Sequence, residues 1–127
     1  MGVRVISTLD GLAKDMIRAR ADLQQGARRV ARDAAQDGAR TTARIARARY
    51  GRGHAKQYAG KISAGSAGGS AWEFGPVAVG QGILAPILER GTRNNPPHHN
   101  LQQGADLMRP GLYRSVDSMI DGAFHGR

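Results

Sequence analysis

The stretch that most constrains the fold runs from Ala27 to about Arg49. Placed at about 100° intervals, Ala27, Val30, Ala31, Ala34, Gly38, Thr41, Thr42, Ile45 and Ala48 fall in one arc. Arg29, Arg32, Asp33, Gln36, Arg40, Arg44 and Arg47 fall in the opposite arc. The period predicts a long helix with one face of small residues, which lets a second helix or a sheet approach closely. The other face is a basic stripe. The helix is expected to end near Tyr50-Gly51, where Gly51 can supply the C-terminal cap.

Upstream, Val3, Val5 and Ile6 form a β-prone segment, read as an edge strand, before Ser7, Thr8 and Asp10, each able to cap a helix. Leu9, Leu12, Met16, Ala19 and Leu23 recur at helical spacing. Gln24-Gln25-Gly26 is expected to break this first helix, because glycine costs ~1 kcal/mol in a helix interior.

Downstream, Arg52 to Gly60 is a basic loop, and Lys61-Ile62-Ser63 has β character. Gly65 to Ser70 suits a flexible hairpin tip. Trp72, Glu73 and Phe74 alternate as in a half-buried strand, Gly75-Pro76 turns the chain, and Val77 and Val79 continue it. A small antiparallel sheet is therefore expected over Ile62 to Val79.

Next comes Ala85-Pro-Ile-Leu-Glu-Arg-Gly-Thr-Arg-Asn-Asn-Pro-Pro-His98. Pro86 suits the first position of a helical turn and Gly91 its end, with Ile87 and Leu88 anchoring inward. Glu89 and Arg90 close that turn. Thr92, Arg93, Asn94 and Asn95 then form a polar loop. Asn100 to Arg109 is expected to make a turn of helix or more, after which Pro110 begins a last helix with Leu112, Val116, Met119, Ile120 and Ala123 on one face. The tail from Phe124 to Arg127 is expected to fray. The order defines an α+β fold: an N-terminal strand, two helices of which the second is long, a small antiparallel sheet and a C-terminal helix.

A chain of 127 residues suits a single domain spanning 1–127, with a flexible hairpin near 65–70 and a loop near 92–100. Aromatic content is only 5%, so the core must be built from small aliphatic residues, and stability borrowed from partners is expected. The net charge of +9 points to an acidic partner: nucleic acid, an anionic membrane or an acidic protein surface. Usage rich in Arg, Ala and Gly also matches high-GC genomes, which lessens what charge alone can say. The absence of cysteine removes disulfides and thiolate metal sites. No stretch has the makings of a signal peptide or a membrane span, so a soluble protein without a membrane partner is expected.

No catalytic pattern stands out. Ser, His and Asp occur without a nucleophile elbow or paired carboxylates, and Gly65 to Gly69 lacks the Gly-Lys-Ser/Thr ending of a phosphate loop. His98 and His99 are adjacent, with His54 distant, which is not metal-ligand spacing. Neither an enzyme nor a cofactor or metal site is expected.

Several segments, in order, resemble the head-to-tail joining proteins of long-tailed bacteriophages, called neck, tail-completion or minor tail-component proteins. An N-terminal β segment and helix lead to a long Ala/Arg-rich helix. Gly60 and Ile62 are similar to the family's Gly-x-Leu-x-x-Ser-Ile segment. Glu73-Phe-Gly-Pro76, Ala85-Pro-Ile-Leu-Glu-Arg-Gly-Thr92 with its prolines, and Met108-Arg-Pro-Gly-Leu112 follow. The family's Pro-x-x-Thr-Gly before the first central strand is replaced by Tyr50-Gly-Arg-Gly-His54.

The resemblance implies a structural subunit of the virion, assembled in the host bacterial cytoplasm. It would form a homo-oligomeric ring of six copies at the head–tail junction, between the portal and adaptor complex and the tail tube, around the DNA channel. Adaptor, head-closure, tail-terminator and tail-tube proteins are the implied partners, and a tail terminator is an alternative within the same class. Pro86, Glu89, Arg90, Gly91, Thr92, Arg93, Asn94 and Asn95 are then the candidate subunit interface, with Trp72 a candidate anchor. Arg29, Arg32, Arg40, Arg44 and Arg47 would meet an acidic partner or simply solvent. In the competing reading these arginines make the chain a basic nucleic-acid-binding module.

Overall fold

The computed structural model describes the backbone of residues 2–124 and the side chains of residues 14–124. One helix, α1, spans Gly2–Tyr50, and a 3-10 turn follows at Ala59–Lys61. The strands β1 (Ile62–Gly68) and β2 (Ala71–Pro76) form an antiparallel hairpin. A second 3-10 turn (Gly80–Leu84), the short helix α2 (Ala85–Arg90) and the helix α3 (Asn100–Phe124) complete a mixed helix-and-sheet chain.

The amino end departs from expectation. Val3, Val5 and Ile6 lie in α1 and are helical, not an edge strand. The expected break at Gln24-Gln25-Gly26 is absent too, so one helix replaces two, and the next helix in the chain, α2, is short. Gly26 has another use: a Cβ there would stand 2.6 Å from Met119 Cγ of α3. The glycine is a notch for a neighbouring side chain, and that packing outweighs its poor helix propensity.

The same logic joins the two pieces expected at the carboxyl end. Pro110 lies inside α3 and does not start it. Its missing N–H leaves the Asp106 carbonyl without a helical partner, but both residues face solvent, where water can satisfy that oxygen. Below them α3 stays in register against α1. At Gly104 a side chain would overlap the Thr42 hydroxyl, so the two backbones cross closely there. Thr42 is fully buried, and its Oγ1 has no hydrogen-bond partner. Residues 125–127 lie outside the described residues.

In the hairpin, Ile62 pairs with Pro76, Ala64 with Phe74 and Ser66 with Trp72. The register shifts between Ser66 and Gly68. Gly68 (φ 98°) and Gly69 (φ 55°) take left-handed backbone at the tip, which a tight hairpin requires and glycine supplies freely. The expected tip was wider, but Gly65 to Gly68 belong to β1. Gly75-Pro76 ends β2 and does not turn it, and Val77 and Val79 leave the sheet.

The core lies where the end of α1, the 3-10 turn after it, the hairpin and α2 meet. Ala39, Ala46, Tyr50, Tyr58, Ala59 and Ile62 are buried there, with Phe74 and Leu88 packed against them. Phe74 presses on Gly38, whose missing side chain makes room for the ring. Because α1 touches the hairpin on one side and α3 on another, its buried face is wider than one arc. Ala35, Ala39, Ala46 and Tyr50 join the expected residues, whereas Ala48 is exposed.

Candidate assembly surface

The stretch from Ala85 to Asn100 is built around one carboxylate. Pro86 stands in the first turn of α2, and Gly91 ends the helix at φ 77°, donating its N–H to the Ile87 carbonyl at 3.0 Å. Glu89 points inward and is 8% exposed. Its Oε2 accepts from the Tyr58 hydroxyl at 3.0 Å and from Asn100 Nδ2 at 2.7 Å. Its Oε1 accepts from the Leu101 N–H at 2.7 Å. A carboxylate from α2 therefore caps the N-terminus of α3, where unpaired N–H groups and the helix dipole favour negative charge.

A second ring of contacts holds the first. Asn100 Nδ2 also donates to the Tyr50 hydroxyl at 2.9 Å, and that hydroxyl lies 2.6 Å from His98 Nδ1. Arg49 donates to the Asn100 side-chain oxygen at 2.5 Å and to the His98 carbonyl at 2.9 Å. The Arg49 charge is thus relayed through one amide to the Glu89 carboxylate. Burial first, and then the neighbouring Glu89 carboxylate, push the Tyr58 phenol well above its ordinary pKa, so Tyr58 is a hydrogen donor over the physiological range.

The loop between the two helices is closed. Thr92 and Asn95 exchange backbone hydrogen bonds at 2.8 and 3.2 Å, and Asn95 Nδ2 donates to Thr92 Oγ1 at 3.0 Å. The chain then doubles back, so that a Cβ on Gly91 would be 2.6 Å from Asn95 O and Pro97 N. The His98 and His99 N–H groups donate to the Leu88 and Glu89 carbonyls, satisfying the end of α2.

These contacts divide the candidate interface in two. Glu89 is committed inside the chain. Pro86, Arg90, Thr92, Arg93, Asn94 and Asn95 are exposed, and Gly91 and Trp72 are half-buried. Leu88 packs on the core as expected, but Ile87 faces solvent at 42% exposure. Arg29, Arg32, Arg40, Arg44 and Arg47 are all exposed along α1, far from α2 in sequence. Arg32 pairs with Asp33 at 3.2 Å and Arg40 with Asp37 at 3.9 Å, so part of that stripe is neutralised by its own helix.

Arg49, Tyr50, Tyr58 and Asn100 were not among the site residues expected from the sequence. A buried tyrosine needs a partner for its hydroxyl, and asparagine is common at helix starts, but nothing in the spacing links either to Glu89. An open cleft of about 720 Å³ lies between α1 and α3, flanked by Asp22, Arg29 and Arg114 and floored by Gly26 and Met119. Among the described residues, no group of three or more His, Cys, Asp or Glu side chains could hold a metal ion, and no helix is long and apolar enough to cross a membrane.

The architecture defines a small mixed helix-and-sheet protein in which buried Glu89 and Asn100 hold its own segments together. Comparison with known protein families, characterised proteins and solved structures finds no match.

Proposed function

We propose that this protein is a structural component of a tailed-phage virion, a neck or tail-completion subunit that assembles into a ring at the head–tail junction around the DNA path. One observation carries the assembly part of this reading. Among the described residues, large apolar side chains stand in solvent: Val79, Ile83, Tyr113 and Phe124 are each more than half exposed.

The head-to-tail assignment rests on the order of Glu73-Phe-Gly-Pro76, Ala85 to Thr92 and Met108 to Leu112. Its test is removal of the gene from the phage that carries it. Filled heads and separate tails are the expected result, and normally joined particles would overturn it.

A second reading, a nucleic-acid-binding module, is favoured by the exposure of all five stripe arginines. Duplex binding that falls steeply with salt would support it; no binding at moderate salt would remove it.

A further inference from the structure

Besides Met16, Ile17 and Leu107, the exposed large apolar side chains among the described residues fall in two patches of unlike charge. The first is a ridge formed by Val77, Val79, Ile83 and Ile87, with exposures of 48, 62, 66 and 42%. From Val77 to Leu88 there is no charged residue. Two basic groups stand beside the ridge, the Lys61 side chain over Gly80 and Gly82 and Arg90 one turn after Ile87, while Glu73 lines a cleft with Val77 at its far end. The only acidic group of α2, Glu89, is buried.

The second patch is the outward stripe of α3. Tyr113, Ile120 and Phe124 are 60, 45 and 58% exposed. Helical spacing places Asp117 and Asp121 among them, both exposed, on the side opposite to Met119 and the other residues packed on α1. This face is apolar and, with exposed Arg114 one turn before Asp117, carries a net negative charge from Asp117 and Asp121.

The two patches lie at opposite ends of the molecule. The second half of α3 rests on the part of α1 around Gly26, as the Met119 contact shows. The ridge lies beyond the carboxyl end of α1, where the Gln81 side chain bonds the Gln57 N–H at 2.6 Å and the His54 carbonyl at 2.7 Å. From Gly26 to Tyr50 the helix alone covers roughly 35 Å.

We infer that the ridge of one copy receives the α3 stripe of the next. The partner is thus a second copy of this chain, and the contact is heterologous, joining Val79 and Ile83 of one subunit to Tyr113 and Ile120 of its neighbour. Two unlike patches, distant on one molecule and complementary in charge, propagate a head-to-tail contact, which a rotation closes into a ring. A symmetric pairing of like patches would set Lys61 and Arg90 against their own copies, or Asp117 and Asp121 against theirs. The inference rests on the ring reading above and adds to it the surfaces that make the contact.

The test uses two variants of the full chain. One carries Ile83→Asp with Arg90→Glu, the other Asp117→Lys with Ile120→Lys. All four side chains are exposed, and the helical circular dichroism of each variant confirms that it is folded. In sedimentation velocity over a concentration series, the unaltered chain forms closed oligomers, and each variant alone associates at least about tenfold more weakly. Mixed in equal amounts, the two variants associate with each other, because the intact ridge of one receives the intact stripe of the other.

Variants that assemble like the unaltered chain would overturn the inference and leave the ring reading standing. So would self-pairing of only one variant, which means a symmetric contact, or a mixture that stays monomeric. An unaltered chain that is monomeric at every concentration would overturn the ring reading itself.

Discussion

Replacing Glu89 separates a residue that holds the chain together from one that meets a partner. In Glu89→Ala, the Tyr58 hydroxyl, Asn100 Nδ2 and the Leu101 N–H lose their shared acceptor. A buried donor left without a partner costs about 1–3 kcal/mol, and the three losses do not add fully, since relief of the buried carboxylate's desolvation offsets part of them. The net loss is about 3–5 kcal/mol, a large share of the roughly 6–19 kcal/mol that a chain of 127 residues has available.

Glu89→Gln is the finer probe. Its one carbonyl oxygen can serve either Leu101 or the Tyr58–Asn100 pair, while its amide nitrogen faces a donor on the other side. Tyr58 can rotate and accept, but Asn100 Nδ2 cannot, because its amide is oriented by Arg49 at the oxygen end. One buried donor is orphaned, at a cost of about 1–3 kcal/mol. Urea or thermal unfolding followed by circular dichroism, at one fixed protein concentration, reads both values. The alanine variant should melt roughly 10–20 °C below the unaltered protein. If glutamine costs less than about 0.5 kcal/mol and alanine less than about 1 kcal/mol, the capping argument is wrong. If alanine leaves stability intact but stops assembly, Glu89 meets a partner after all.

Tyr58 sets an alkaline limit. Its folded pKa is raised, so its contribution is complete below the unfolded value of about 10 and is lost as pH rises above it. Tyr58→Phe should be about 1 kcal/mol less stable at neutral pH and should lose less between neutral pH and about pH 11, as unfolding midpoints would show; equal alkaline slopes would sink the assignment. At the α1–α3 crossing, Gly104→Ala should cost about 1–3 kcal/mol by driving a methyl group into Thr42. Thr42→Val replaces an orphaned hydroxyl with a methyl group and should be neutral or stabilising by up to about 1 kcal/mol. A clear loss in that variant would mean that the hydroxyl has a partner.

Local chemistry made much of this protein legible. The Ala27 to Arg49 period settled both the helix and its exposed arginine face. Pro86 and Gly91 marked the ends of α2, because a missing N–H and a left-handed backbone are properties of single residues. The alternation at Trp72, Glu73 and Phe74 identified β2.

Two of the errors share one cause. Gly26 and Pro110 have poor intrinsic propensity for helix interiors, and each was expected to end or start a helix. Packing between α1 and α3 overrode them: Met119 fills the Gly26 notch, and Pro110 sits on the solvent side, where its lost bond is cheap. An interior glycine costs about 1 kcal/mol and an interior proline about 3 kcal/mol, and a continuous helix–helix contact is worth more.

The role of Glu89 was beyond local reading for a different reason. Its three donors come from Tyr58, Asn100 and Leu101, and no periodicity relates those positions. The sequence by itself determined that a carboxylate stands two residues before the glycine that ends α2. Only the tertiary structure, by bringing the N-terminus of α3 and two tyrosines to the same buried point, decided that this carboxylate faces inward and left Ile87 and Arg90 for the surface.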